Sequence, residues 1–173
     1  KGWVYPYQEK GAQAAIEKLG GSASAVHRIS TYMRLPSWLA PCKAAGVSLL
    51  GYCEGSVTAL LLQALKAPDA PVRAEAARVI GSRREQAAIA DLVTALDDSS
   101  DEVRAEAASA LGEIPGAREL AALALMRLLK DENADVRFRA ALSLHDMGAV
   151  APGIDHESLS AAAKVLIEAH TAA

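Results

Sequence analysis

The chain has 173 residues, about half of them apolar but only seven aromatic, and a formal net charge of −3. That length allows one ordinary domain or about five helix pairs. The slight acidity argues against a nucleic-acid partner or an anionic membrane surface, and no apolar run is long enough to span a bilayer.

The chain begins at Lys1 with Gly2-Trp3-Val4-Tyr5-Pro6-Tyr7, which holds three of the aromatics. No leader peptide is visible, although an upstream piece could have been removed. Pro6 argues against a regular helix in this stretch, so the rings are expected to pack on the first helix or to anchor a partner. Residues 9–19 then read as a helix with Ala12, Ala15, Ile16 and Leu19 on one face. Gly20-Gly21 stops it, and Ser22 or Ser24 can cap the next, at 24–35, with Val26, Ile29 and Met33 inward. Pro36 breaks that helix.

From residue 41 the chain repeats itself. Val72-Arg73-Ala74-Glu75-Ala76-Ala77 returns as Val103-Arg104-Ala105-Glu106-Ala107-Ala108 and again as Val136-Arg137-Phe138-Arg139-Ala140-Ala141. The Val-Arg pairs lie 31 and then 33 residues apart, the extra length coming from Pro115-Gly116. Self-similarity at this period marks a stacked-repeat protein. Each copy follows an apolar run (Leu61/Leu62, Leu92/Val93, Leu125/Met126) and a polar turn. The unit is helix A, tight turn, helix B. The A helices are expected at 55–66, 84–97 and 117–130, and the B helices at 71–82, 101–112 and 135–147. Residues 41–51 form a worn earlier B helix: a shift of 30 sets Lys43 on Arg73 and Gly51 on Gly81. A last helix, from 155 or 156 to 169, carries Leu159, Leu166 and Ile167 and is expected to cap the open end.

The unit resembles the short HEAT-like repeat of phycobilisome-lyase-type proteins, whose phrase is roughly Leu-x-Asp, four residues, Val-Arg, then Ala-Ala and Leu-Gly. Asp98 and Asp131 keep the turn aspartate; Ala67 stands where another is expected, and His145 stands where glycine is expected. Neither the ankyrin nor the tetratricopeptide phrase is present. The resemblance implies an all-α solenoid. In domain terms it predicts a single HEAT-like repeat domain over 1–173: an N-terminal cap (1–21), a degenerate repeat (22–53), three clear repeats (54–148) and a C-terminal cap (149–173). It further implies a structural ladder of Arg73, Arg104 and Arg137 with Asp98 and Asp131, each arginine meeting the turn aspartate of its own or a neighbouring repeat. Arginine suits this because its planar fork grips a carboxylate at two points.

Candidate chemistry is sparse. Deoxyhypusine hydroxylase is similar in repeat form, but its metal-holding His-Glu pairs correspond here to Ala74-Glu75, Ala105-Glu106 and Phe138-Arg139, with no histidine. No metal, cofactor or catalytic residue is expected. Gly51-Tyr52-Cys53-Glu54-Gly55 matches a cysteine form of the α/β-hydrolase nucleophile elbow, which needs a strand before it. Val47-Ser48-Leu49-Leu50 could pass as one, but the repeat register already accounts for Gly51. Cys42 and Cys53, some 16 Å apart if the segment is helical, are too distant for a disulfide. Two free thiols fit a cytoplasmic setting.

Helical spacing places Val72, Ala76, Ile80 and their equivalents in the core. The resemblance implies that the B helices line a concave face, and the same spacing then gives its exposed stripe as Ala74, Glu75, Arg78, Ala105, Glu106, Ser109, Phe138, Arg139 and Leu142. The function this implies is a non-catalytic protein–protein interaction or assembly scaffold that holds a protein or peptide on that face. The alternative is a bilin-lyase-like or other accessory enzyme subunit acting on a tetrapyrrole or a protein substrate.

Overall fold

The computed structural model describes residues 6–147, with side chains from residue 10 onward except that of Trp38. The expected aromatic contacts of Trp3 and Tyr5, and the capping helix within 149–173, lie outside the described residues. Nine α-helices follow one another, with no strand among the described residues. They are α1 (Pro6–Lys18), α2 (Ser22–Tyr32), α3 (Ala40–Leu50), α4 (Thr58–Leu65), α5 (Ala70–Arg83), α6 (Ile89–Ala95), α7 (Asp101–Glu113), α8 (Arg118–Leu128) and α9 (Ala134–Asp146).

Some boundaries differ from the sequence reading. Pro6 opens α1 rather than preventing it, because a proline in the first helical turn lacks only an N–H that the helix does not need there. Gly21, not a serine, holds the N-cap of α2, and the Ser22 hydroxyl instead accepts the Glu54 N–H at 3.2 Å. The A helices are shorter than expected. A 3-10 turn at Gln86–Ala88 precedes α6, and α4 starts at Thr58. Residues 47–50 lie within α3, so the strand needed for a nucleophile elbow is a helix.

The core runs the length of the array. Val47, Leu50, Leu61, Val72, Val79, Ile80, Leu92, Val103, Leu111 and Leu125 are all buried. Each such side chain contributes roughly 1.5–3 kcal/mol over an exposed one. The B-type helices α3, α5, α7 and α9 pack in close succession, whereas the A-type helices α4, α6 and α8 touch one another far less. A stack tighter on one side curves toward that side, which puts the B helices on the inner, concave layer.

Two glycines permit the tight inner layer. A Cβ on Gly81 would lie 2.7 Å from the Cα of Ala110, and one on Gly112 would lie 2.6 Å from the Oγ of Ser143. Such distances are inside van der Waals contact, so each position must lack a side chain. His145, at the corresponding place on α9, is exposed. No described helix presses on it, so the departure from glycine costs nothing there.

Candidate functional site: the B-helix face and its ion-pair ladder

Two polar systems run along the B helices. The first ties consecutive turns together. Arg73 donates through Nε and Nη2 to both carboxylate oxygens of Asp98, at 2.7 and 2.8 Å, while Nη1 donates to the carbonyls of Ala67 and Pro68 in its own turn. Arg104 repeats this: Nε and Nη2 reach Asp131 at 2.8 and 2.9 Å, and Nη1 reaches the Asp98 carbonyl. Both aspartates accept one more bond, from the Ser100 and Asn133 backbone N–H groups. Each guanidinium therefore closes its own turn and holds the carboxylate of the next repeat. Arg137 donates to the Asp131 and Glu132 carbonyls of its own turn and has no ion pair among the described residues.

A third rung was not legible as such. Lys43 Nζ meets Asp69 Oδ2 at 2.8 Å, both almost fully buried. Lys43 aligns with Arg73, but Asp69 falls two residues beyond Ala67, where the aspartate is expected. It occupies the N-cap position of α5 and makes no capping bond there, its carboxylate turning to Lys43 instead. The straight ammonium arm reaches this displaced carboxylate; a forked guanidinium is not needed for a one-point contact. Hydrogen-bond donors hold all three acids below the usual carboxylate range: the Lys43 ammonium and then the Ser37 hydroxyl for Asp69, the Arg73 guanidinium for Asp98, and that of Arg104 for Asp131.

The second system is the concave face. Its most open positions are Arg78 and Leu142, with Glu75, Glu106, Ser109, Phe138 and Arg139 half-buried. Ala74 and Ala105 are only 3% exposed, which corrects their placement on the exposed stripe. Ala74 lies two turns before Gly81 on the same flank of α5, and that flank is pressed by α7. An inner helix here is covered on three sides, by its A partner and by the B helices before and after it. The open stripe is correspondingly narrow.

Along that stripe charges alternate and pair. Arg78 bonds Glu75 on its own helix and the Ser48 hydroxyl of α3 at 3.2 Å. Arg139 pairs with Asp135 at 2.9 Å, with Glu106 of α7 at 3.2 Å, and with the Ser109 hydroxyl at 3.1 Å. Burial pushes the Glu106 carboxyl above the usual glutamate range, against the pull of Arg139 and Arg78. At the N-terminal end of the stripe a cleft of about 640 Å³ opens between α1, α3 and α5, with Tyr52, Ser48, Leu49, Glu75 and Arg78 in its wall. Tyr52 and Ser48 fall in the degenerate repeat, where a weak repeat signal hid their place on the face.

Catalytic constellations do not form around these groups. Cys42 and Cys53 are both free. Cys53 is buried at 3% exposure, and burial raises its thiol pKa despite nearby Arg83, which disfavours the nucleophilic thiolate. Arg83 donates to the Leu50, Cys53 and Gly55 carbonyls and so closes the loop that carries Cys53. Among the described residues no group of His, Cys, Asp and Glu could hold a metal ion, and no helix is long and apolar enough to cross a membrane.

No curated protein matches the chain. Among solved structures, a chain from the complex of CpcE and CpcF of phycocyanin lyase from Nostoc sp. PCC7120 is similar, with a TM-score of 0.59 and 18% identity. The match covers 87% of this chain and 91% of that one, a likeness of fold. The family model for HEAT repeats matches residues 58–144, which takes in α4 to α9 up to Leu144 and about half of the chain. With three helix pairs in phase, a shared inner layer and that match, the chain belongs to the HEAT-repeat family.

Proposed function

We propose that this protein is a non-catalytic binding scaffold that holds a protein or peptide segment along the concave B-helix face. The observation that carries the reading is the stripe itself. The fold needs buried small residues at Ala74 and Ala105, yet beside them stand Glu75, Arg78, Glu106, Ser109, Arg139 and Leu142, which make no contribution to the core. They present alternating charge, hydroxyls and one apolar end, next to a cleft large enough to admit side chains of a bound chain. Such a surface suits an extended or helical polypeptide with both polar and apolar contacts, and its net charge does not favour a polyanion. The single-domain organisation over 1–173, with terminal caps, is part of the same proposal, since a stacked array needs covered ends.

A second reading has one observation in its favour. The similar solved chain comes from a complex of two phycocyanin lyase subunits, so an accessory lyase subunit acting on a tetrapyrrole or a protein substrate is the alternative.

The test is a pull-down from native extract with the wild type and with Glu75→Lys/Glu106→Lys, after thermal melts show both folded. Retention of a defined protein by the wild type and its loss from the double variant supports the scaffold. Equal retention removes the concave face as the contact, and retention of a coloured small molecule in place of a protein turns the reading to the lyase alternative.

A further inference from the structure

Large apolar side chains are seldom exposed on this surface, and two of the exposed ones are neighbours on α8: Leu120 at 63% and Leu123 at 64%. The repeat supplies an internal control. Leu123 takes the place held by Ala59 and Ala90 in the earlier units, and Leu120 the place held by Ala87, all of them exposed. Stacking therefore asks only for a small residue at these positions, and the fold does not explain leucine in the third unit.

The leucines continue into a shaped surface. Residues 120, 123, 127 and 130 fall on one line of the helix and its C-terminal turn, so Arg127 and Lys130 follow Leu120 and Leu123 along the same outer face. Leu123, Met126, Arg127, Leu129 and Lys130 line a hollow of about 620 Å³. Arg127 meets Asp97 only at 3.3 Å, with both side chains about two-thirds exposed, a pair weak enough to be exchanged for another. Lys130 has no ion pair among the described residues.

We propose that this outer face of α8 docks an amphipathic helix of a protein partner, one whose apolar stripe is flanked by acidic residues. An apolar pair beside a hollow fits leucine-sized anchors at helical spacing, and two cations at one end complement carboxylates there. An anionic lipid surface is read by a broad cluster of cations, whereas this face offers only Arg127 and Lys130 at one end, with Asp97 beside Arg127, which suits a few carboxylates on a discrete helix. This site lies on the opposite layer from the concave face, and it stands or falls independently of that reading.

The probe is a fluorescent helical peptide with leucines at i, i+3, i+4 and i+7 flanked by glutamates, titrated by anisotropy with the full chain at low salt. A second peptide has lysines in place of the glutamates. The acidic peptide should bind at least tenfold more tightly than the basic one. Leu120→Ala/Leu123→Ala and Arg127→Gln/Lys130→Gln should each weaken it at least tenfold. The alanine variant should keep the wild-type thermal midpoint, because alanine already stands at these places in the earlier units. Equal binding of the two peptides, or binding unaffected by either double variant, overturns the proposal. So does binding to phosphatidylserine vesicles without peptide binding. Concentration-dependent self-association abolished by the alanine variant would give the face to a second copy of this chain and overturn it likewise.

Discussion

Arg104 shows what one side chain contributes to this architecture. Its guanidinium is about nine-tenths buried and bonds both oxygens of an equally buried Asp131 as well as the Asp98 carbonyl. Removing it leaves a carboxylate desolvated and without its counter-charge. Arg104→Ala should therefore cost about 3 kcal/mol in urea denaturation, the usual scale for breaking one side of a buried pair. Glu106→Ala, two residues on, should change stability by no more than about 0.5 kcal/mol, since Arg139 keeps Asp135 as a partner and burial already disfavours the Glu106 charge. The opposite ranking would invert the assignment of inner and outer faces. The same ladder sets the acid response. Asp69, Asp98 and Asp131 have folded pKa values below their unfolded ones, which lie near 3.9. Such groups add stability above the unfolded value and lose it as the pH falls through the folded value. The urea midpoint should thus drop below about pH 4, with a shallower drop in Arg104→Ala, where Asp131 loses the partner that lowers its pKa. Glu106, raised by burial, acts in the opposite direction, so the comparison is made in a Glu106→Ala background. A midpoint that rises on acidification would contradict the ladder.

At the scale of elements, the B helices were legible because their phrase recurs in phase, and the apolar positions at Val72, Ala76 and Ile80 fix one buried face by themselves. What periodicity does not reveal is whether a flank of small residues is open or pressed by a neighbour. Ala74 and Ala105 look neutral in sequence and are buried in the array, because the next B helix approaches on that side. Glycine at 81 and 112 was the available signal for that approach. Gly81→Ala tests it directly. Alanine favours a helix interior by about 1 kcal/mol over glycine, so an uncrowded site would be stabilised. Here the added Cβ meets the α7 backbone at 2.7 Å, and overpacking of this kind costs roughly 1–3 kcal/mol. The thermal midpoint of Gly81→Ala should fall, whereas a rise would show that α5 and α7 have room to separate. Lys43–Asp69 was half legible. Lys43 stood in the right register, but its partner sat two residues from the expected place, and a shift of that size in a turn carries no periodic signal.

Across the whole molecule, the array has two unlike sides. The inner layer is closely packed through small residues and leaves only a narrow stripe of charged and polar side chains open. The outer layer is looser, presents exposed alanines in two units, and presents leucines in the third. The stripe carries no convergent nucleophile, base or metal set among the described residues, and its alternating ion pairs suit recognition of a polypeptide. The most direct test of that central claim is a site-specific photo-cross-linking scan in native extract. A photoreactive residue is placed at Arg78, Ser109 or Leu142 on the concave stripe, and at Ala59 or Ala90 on the outer face. One common protein adduct should form from the three concave positions and none of it from the two outer ones. The same adduct from Ala59 or Ala90, with the concave positions silent, would contradict it.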